Sequence, residues 1–86
     1  MILQVKAKHF NGNGYGNNCN CPLAKAAKEQ FCAGHVYESV TYIEIGDATY
    51  THPEYNIDTF QDDQYLASQE GYDETVIREI ELTEII

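Results

Sequence analysis

The sequence predicts a small α+β domain, ordered β-α-β-β-α-β, of the split β-α-β or ferredoxin-like kind with a mostly antiparallel sheet. Three observations predict it. The first and last stretches, ILQVKAKH and ETVIREIELTEI, alternate apolar and polar residues with period two. Residues 22–32 carry a helical stripe behind a Cys-Pro start. Between that helix and the C-terminal strand lies a segment rich in β-branched and aromatic residues, broken at Gly46-Asp47 as a tight hairpin would break it. Eighty-six residues with 43% hydrophobic and 22% charged content make one globular domain, 1–86, with a modest core.

In order, residues 2–9 put Leu3, Val5 and Ala7 on one face and Gln4, Lys6 and Lys8 on the other, a half-buried strand. A loop follows in which Gly12, Gly14 and Gly16 alternate with Asn11, Asn13, Tyr15 and Asn17. Glycine permits close backbone approach, so the loop amides can turn inward as a concave nest. The helix over about residues 22–32 has Pro22 in its first turn and Asn20 as the favoured N-cap, with Cys21 a poorer one. Leu23, Ala24, Ala27 and Phe31 form its inner stripe, Lys25 and Lys28 face solvent, and Gly34 is the stop signal.

Residues 36–46 read as one strand whose parity changes midway. Val36, Val40 and Tyr42 share one side and Ile43 and Ile45 the other, which predicts a bulge near Thr41 or Tyr42, or burial of both faces. Strand 48–52 follows and Pro53 ends it. Asn56 can cap a second helix over IDTFQDDQYLASQE, with Asp58 in its first turn, Gly71 closing it, and Ile57, Phe60, Leu66 and Ala67 as a partial inner stripe. The last strand sets Val76, Ile80 and Leu82 against Glu79, Glu81 and Thr83. Helices on one face of the sheet leave the other open, with tyrosines on it, as a surface for homodimerisation.

Charge is divided along the chain. Residues 1–28 hold four lysines and no acid, +4, whereas 29–86 hold all 14 acids and only Arg78 as a base, −13, for a net −9. That balance argues against direct nucleic-acid binding. No long apolar run suggests a membrane span and no leader suggests export, so the expected compartment is the cytoplasm, with three reduced cysteines.

Residues Cys19-Asn20-Cys21-Pro22-Leu23-Ala24-Lys25-Ala26 resemble a pattern in short proteins encoded by bacteriophages and prophages. There, Cys-Pro-aliphatic-Ala-x-Ala follows an N-terminal strand, and an alternating acidic strand closes the chain. The likeness covers the first third well and the remainder in outline; the loop Gly-Asn-Gly-Tyr-Gly departs from it. The family brings no established activity. What the resemblance implies is a phage-encoded accessory or counter-defence role in a host cell.

Four chemistries are open to these residues. Cys19, Cys21, Cys32 and His35 have zinc-ligand character, but Cys21 and Cys32 end a helix about 16 Å long at 1.5 Å per residue, too far apart for one ion. No metal and no cofactor is expected. Cys21 at a helix N-terminus, with His9 as base, is a conceivable nucleophile, but no third member is evident, so an enzyme is not expected. The loop and helix start, with Lys8, His9, Gly12, Gly14, Tyr15, Gly16, Cys21 and Lys25, form a generic anion cradle for a phosphorylated or cyclic nucleotide. It matches neither dinucleotide nor P-loop fingerprint. Finally, acids such as Asp62, Asp63, Glu79, Glu81 and Glu84 can meet the basic groove of a host defence or nucleic-acid-handling protein. That non-enzymatic inhibitor is the leading expectation; nucleotide sequestration and a structural phage role are the alternatives.

Overall fold

A computed structural model describes residues 1–11 and 21–85. The fold is the expected α+β arrangement. Strand β1 (Ile2–Lys6) leads into a single 3-10 turn (Ala7–Phe10), and helix α1 (Pro22–Phe31) follows. Strands β2 (Val36–Glu38), β3 (Tyr42–Ile45) and β4 (Ala48–Thr51) precede helix α2 (Ile57–Gln69), and β5 (Val76–Glu81) and β6 (Thr83–Glu84) close the chain. All strand pairings are antiparallel, β1 with β5 and, in a second sheet, β2-β3-β4-β6. Leu82 links the sheets: its N–H bonds the Met1 carbonyl at 2.7 Å, after which Thr83 pairs with Thr51.

The first strand is shorter than its alternation predicts. It stops at Lys6, and Ala7, His9 and Phe10 are buried together in the turn that follows, which alternation cannot describe. The free edge of β1 is sealed by a side chain. The Gln30 amide accepts from Gln4 N–H at 3.0 Å and donates to the Ile2 carbonyl at 2.7 Å, so α1 supplies what a neighbouring strand would.

Residues 36–46 are not one bulged strand. They form a hairpin, with Val36 opposite Ile45 and Glu38 opposite Ile43, reversing through Ser39–Thr41. The parity change marked the reversal: Val36, Ile43 and Ile45 all face inward once the chain turns back. The β3–β4 hairpin does turn at Gly46-Asp47, where Gly46 takes φ +61°, open to glycine at little steric cost.

Helix α1 buries Leu23, Ala24, Ala26 and Ala27 against β1, β2 and β3, with Phe31 half-buried at its end. Three local expectations are corrected. The N-cap is Cys21, whose Sγ accepts from Ala24 N–H at 3.4 Å. The helix ends not by Gly34 but by Cys32, itself left-handed at φ +52°. Lys25 and Lys28 are half-buried rather than fully solvent-facing. In α2, Asn56 caps as expected, accepting from Thr59 N–H at 3.0 Å. Its inner stripe differs: Phe60 is buried and Ala67 packs against the core, but Ile57 and Leu66 are about half exposed, and Asp63 takes an inner position.

Both helices lie on one side of the β1–β5 pair. Leu3 and Val5 stand opposite Ile80 and Arg78, all toward the helices, and Arg78 reaches Asp63 of α2. Gln4, Glu79 and Glu81 point to the other, open side, and all are exposed. Val76, expected inside with Ile80 and Leu82, is 40% exposed beside the register shift at Val5/Lys6. On the outer side of the four-stranded sheet, the half-buried rings of Tyr37 and Tyr42 lie 6.3 Å apart.

Candidate functional site

The described groups of the expected anion cradle are satisfied from within the chain. Gly12, Gly14, Tyr15, Gly16 and Cys19 lie outside the described residues. The flanking groups are described, and each has a partner. Lys8 Nζ contacts Glu29 at 2.8 Å and Glu74 at 2.9 Å, and Lys6 Nζ contacts Glu74 at 3.5 Å. The hydrogen bonds to Glu29 and Glu74 hold Lys8 above its ordinary range, while the Lys8 ammonium holds both carboxyls below theirs. Sequence reading gave residues 1–28 a free positive charge. Folding instead brings acids from α1 and from residue 74 onto it.

His9 is buried in the 3-10 turn. Its Nδ1 accepts from Lys6 N–H at 2.9 Å and its Nε2 faces Glu29 at 3.5 Å. Burial, with neighbouring lysine charge, pushes His9 below the ordinary imidazole range although Glu29 opposes this. It is thus a neutral ring locking a turn, committed to Lys6 and Glu29. Lys25 donates to the Asn11 carbonyl at 3.2 Å.

The helix start itself is occupied by chemistry of the chain. The buried Cys21 thiol donates to Glu38 Oε1 at 3.1 Å. Burial first, then the Glu38 charge, push the thiol up to about 12, so it stays protonated at neutral pH and lacks the thiolate a nucleophile needs. The Glu38 carboxylate, one hydrogen bond from the N-cap, already complements the positive end of α1. Cys32 sits exposed at the other end of that helix. Among the described residues, no three His, Cys, Asp or Glu side chains are arranged to hold a metal ion.

Of the five acids expected to meet a partner, Asp62, Glu79, Glu81 and Glu84 are exposed and Asp63 is not. Asp63 is 1% exposed and binds Arg78 through two hydrogen bonds, 2.6 Å from Nε and 3.0 Å from Nη2, while the Tyr55 hydroxyl donates to it at 2.9 Å. Arg78 also lies over the Tyr55 ring at 6.0 Å. The hydrogen bond from Arg78 to Asp63 raises the guanidinium further, and burial with the Asp63 charge raises the Tyr55 phenol. Asp63 is therefore a docking residue for α2 and unavailable to a partner. Its signal in the sequence was Arg78, the only Lys or Arg after residue 28.

The exposed acids also fall on two sides. Glu79 and Glu81 line the open side of the β1–β5 pair, whereas Asp62 lies on α2, on the opposite side of that layer. The α2 surface has a pattern of its own, distinct from the inner stripe. Asp58, Asp62, Tyr65 and Leu66 recur at i, i+4, i+7 and i+8, and all four are exposed, Tyr65 by 66% and Leu66 by 50%. Helix α2 carries three acids and no Lys or Arg. Its outward face thus combines like charge with an aromatic and an aliphatic side chain.

No protein-family model, curated protein sequence or solved structure matches this chain. No helix among the described residues is long and apolar enough to cross a membrane.

Proposed function

We propose that the protein is a non-enzymatic acidic binding protein that docks α2 onto a basic, nucleic-acid-handling surface of another protein. With the phage origin that the Cys-Pro resemblance implies, the partner would be a host defence or nucleic-acid-handling protein. One observation carries this reading: the outward Asp58-Asp62-Tyr65-Leu66 face, exposed on a helix that is anchored from its other side. Carboxylates at successive turns offer lysines and arginines the acceptors that phosphates would offer. Exposed Tyr65 and Leu66, one turn beyond Asp62 on the same face, supply the apolar contact that carries most binding energy in such interfaces. The nucleotide alternative is weakened by the same geometry, because Lys8 is held by Glu29 and Glu74, and Glu38 already faces the start of α1.

The test is capture from a host-cell lysate, followed by displacement. The wild-type protein should retain a basic partner that is released by raised salt and by a DNA or RNA oligonucleotide competing for the same groove. The double variant Asp58→Lys/Asp62→Lys should retain none. Native mass spectrometry of the freshly purified protein provides the contrary outcome: a stoichiometric nucleotide, together with capture indifferent to the double variant, would replace this reading with nucleotide sequestration. The same spectrum reports whether the protein self-associates.

A further inference from the structure

His52 lies at the exit of β4 with its side chain fully buried. Both ring nitrogens face acceptors. Nδ1 lies 2.7 Å from the Pro53 carbonyl oxygen, and Nε2 lies 3.0 Å from the Ser39 carbonyl oxygen. A neutral imidazole carries one N–H and can satisfy only one of them; the other contact would set lone pair against lone pair. Only the imidazolium donates to both. The third neighbour agrees. Glu38 Oε2 is buried, accepts no hydrogen bond among the described residues, and lies 3.3 Å from His52 Nε2 at ion-pair distance. A buried carboxylate with an unsatisfied oxygen is costly unless a positive charge stands beside it.

We propose that His52 is a buried imidazolium clip that holds the 39–41 turn against the segment leading into α2, and that this clip opens when the ring loses its proton. The clipped parts are defined by further bonds. His52 N–H donates to the Thr41 carbonyl at 2.9 Å and Tyr55 N–H to the Val40 carbonyl at 2.9 Å. The 39–41 turn contains no glycine or proline to fix its shape, so it relies on these contacts. Glu38 is contributed by β2, and beyond it stands the Cys21 thiol of α1. A cavity of about 290 Å³ is lined by His52 together with Thr51, Pro53, Thr83 and the charged Glu81 of β5. Burial opposes the charge, but Glu38 and the Pro53 and Ser39 carbonyls outweigh it, so His52 is raised above its ordinary range. A raised value in the folded state means the clip stabilises fully below about pH 6.5, the unfolded value, and is lost as pH rises through the folded one.

The experiment titrates the wild-type protein with nitrogen-15 in its histidine rings, from about pH 5 to about pH 9, on either side of the ordinary imidazole value. His52 is expected to keep protons on both nitrogens to a higher pH than an ordinary imidazole, with a midpoint above about pH 6.5. On losing one, the exchange rates of the Tyr55 and His52 amides should rise relative to Ala27 in α1, a ratio that cancels the intrinsic pH dependence of exchange. Glu38→Gln should weaken proton affinity at His52 by about tenfold, a shift of roughly one pH unit. A midpoint at or below about pH 6.5 in the wild-type protein overturns the proposal. So does loss of the proton with no change in the exchange ratio. The wild-type titration decides the matter even if Glu38→Gln does not fold.

Discussion

The two helices are held to the same body by opposite means. Helix α1 turns Leu23, Ala24, Ala26 and Ala27 inward, none more than 1% exposed, and meets the strands almost entirely through apolar surface. Helix α2 turns in Phe60, partly Ala67, and the carboxylate of Asp63. Burying Leu23 contributes roughly 1.5–3 kcal/mol with no demand on geometry. Burying Asp63 is unfavourable until Arg78 and Tyr55 are in place, and it then fixes α2 at one position and orientation. The consequence lies on the outside. An apolar dock uses up the apolar residues of a helix. A polar dock leaves Ile57, Tyr65 and Leu66 facing solvent, so that α2 rather than α1 carries the exposed apolar residues on which the proposed docking depends.

The contrast breaks most severely at α1. Ala27 is fully buried between Leu23 and Phe31, and Ala27→Asp places an unpaired charge there. The expected loss is several kcal/mol, comparable with the whole stability of a domain near the low end of the usual 5–15 kcal/mol. The variant should be unfolded by circular dichroism at room temperature. An unchanged melting temperature would mean that α1 is not held by its apolar stripe.

At α2 the corresponding change is Arg78→Ala. It strands a carboxylate that is 1% exposed, but the Arg78 side chain is 39% exposed, so water can partly replace it. The expected loss is therefore about 2–3 kcal/mol, below the 3–5 kcal/mol of a wholly buried pair. Replacing both partners, Asp63→Leu with Arg78→Leu, should recover much of it, because no charge is then left buried. If chemical denaturation finds the double variant no more stable than the single one, the pair is not what docks the helix.

Tyr55→Phe is a finer cut, since it removes one donor to Asp63 and leaves the salt bridge. About 1.5 kcal/mol should be lost, the low end for a hydrogen bond to a charged group because Arg78 still satisfies the same oxygen. Equal melting curves for Tyr55→Phe and the wild-type protein would assign the role of Tyr55 to packing alone.

The same contrast explains what could be read from the sequence. The α1 stripe, the Asn56 cap and the Gly46-Asp47 turn were legible because each depends on residues near in sequence. The β2–β3 reversal was not, because Ser39-Val40-Thr41 has strand-forming composition and its shape comes from His52 and Tyr55, more than ten residues away. Lys8 read as a free cation because Glu29 and Glu74 reach it only after α1 and β5 pack. Asp63 read as one more surface acid beside Asp62, although one residue along a helix turns a side chain by about 100°. In each case the residue was placed by a tertiary partner, which local periodicity does not encode.

Tyr65→Ala should have the smallest effect on the fold and is the sharpest test of the α2 surface. The ring is 66% exposed, and its removal uncovers no buried group, so stability should stay within about 0.5 kcal/mol. Binding should respond differently. On the proposed reading, the Tyr65 ring, one turn beyond Asp62 on the same helical face, is the anchor, and losing an anchor weakens association by about 2 kcal/mol, roughly 30-fold. Asp62→Lys should instead slow association and reduce its salt dependence, because rim charges steer encounter more than they hold the complex. Measured against the partner retained from lysate, the two variants should separate, Tyr65→Ala raising the dissociation rate and Asp62→Lys lowering the association rate. A melting temperature that falls by several degrees in Tyr65→Ala would show that the ring supports the fold. The outward face of α2 would then be part of the docking of the helix, and the distinction between the two helices would fail at the point where it matters for function.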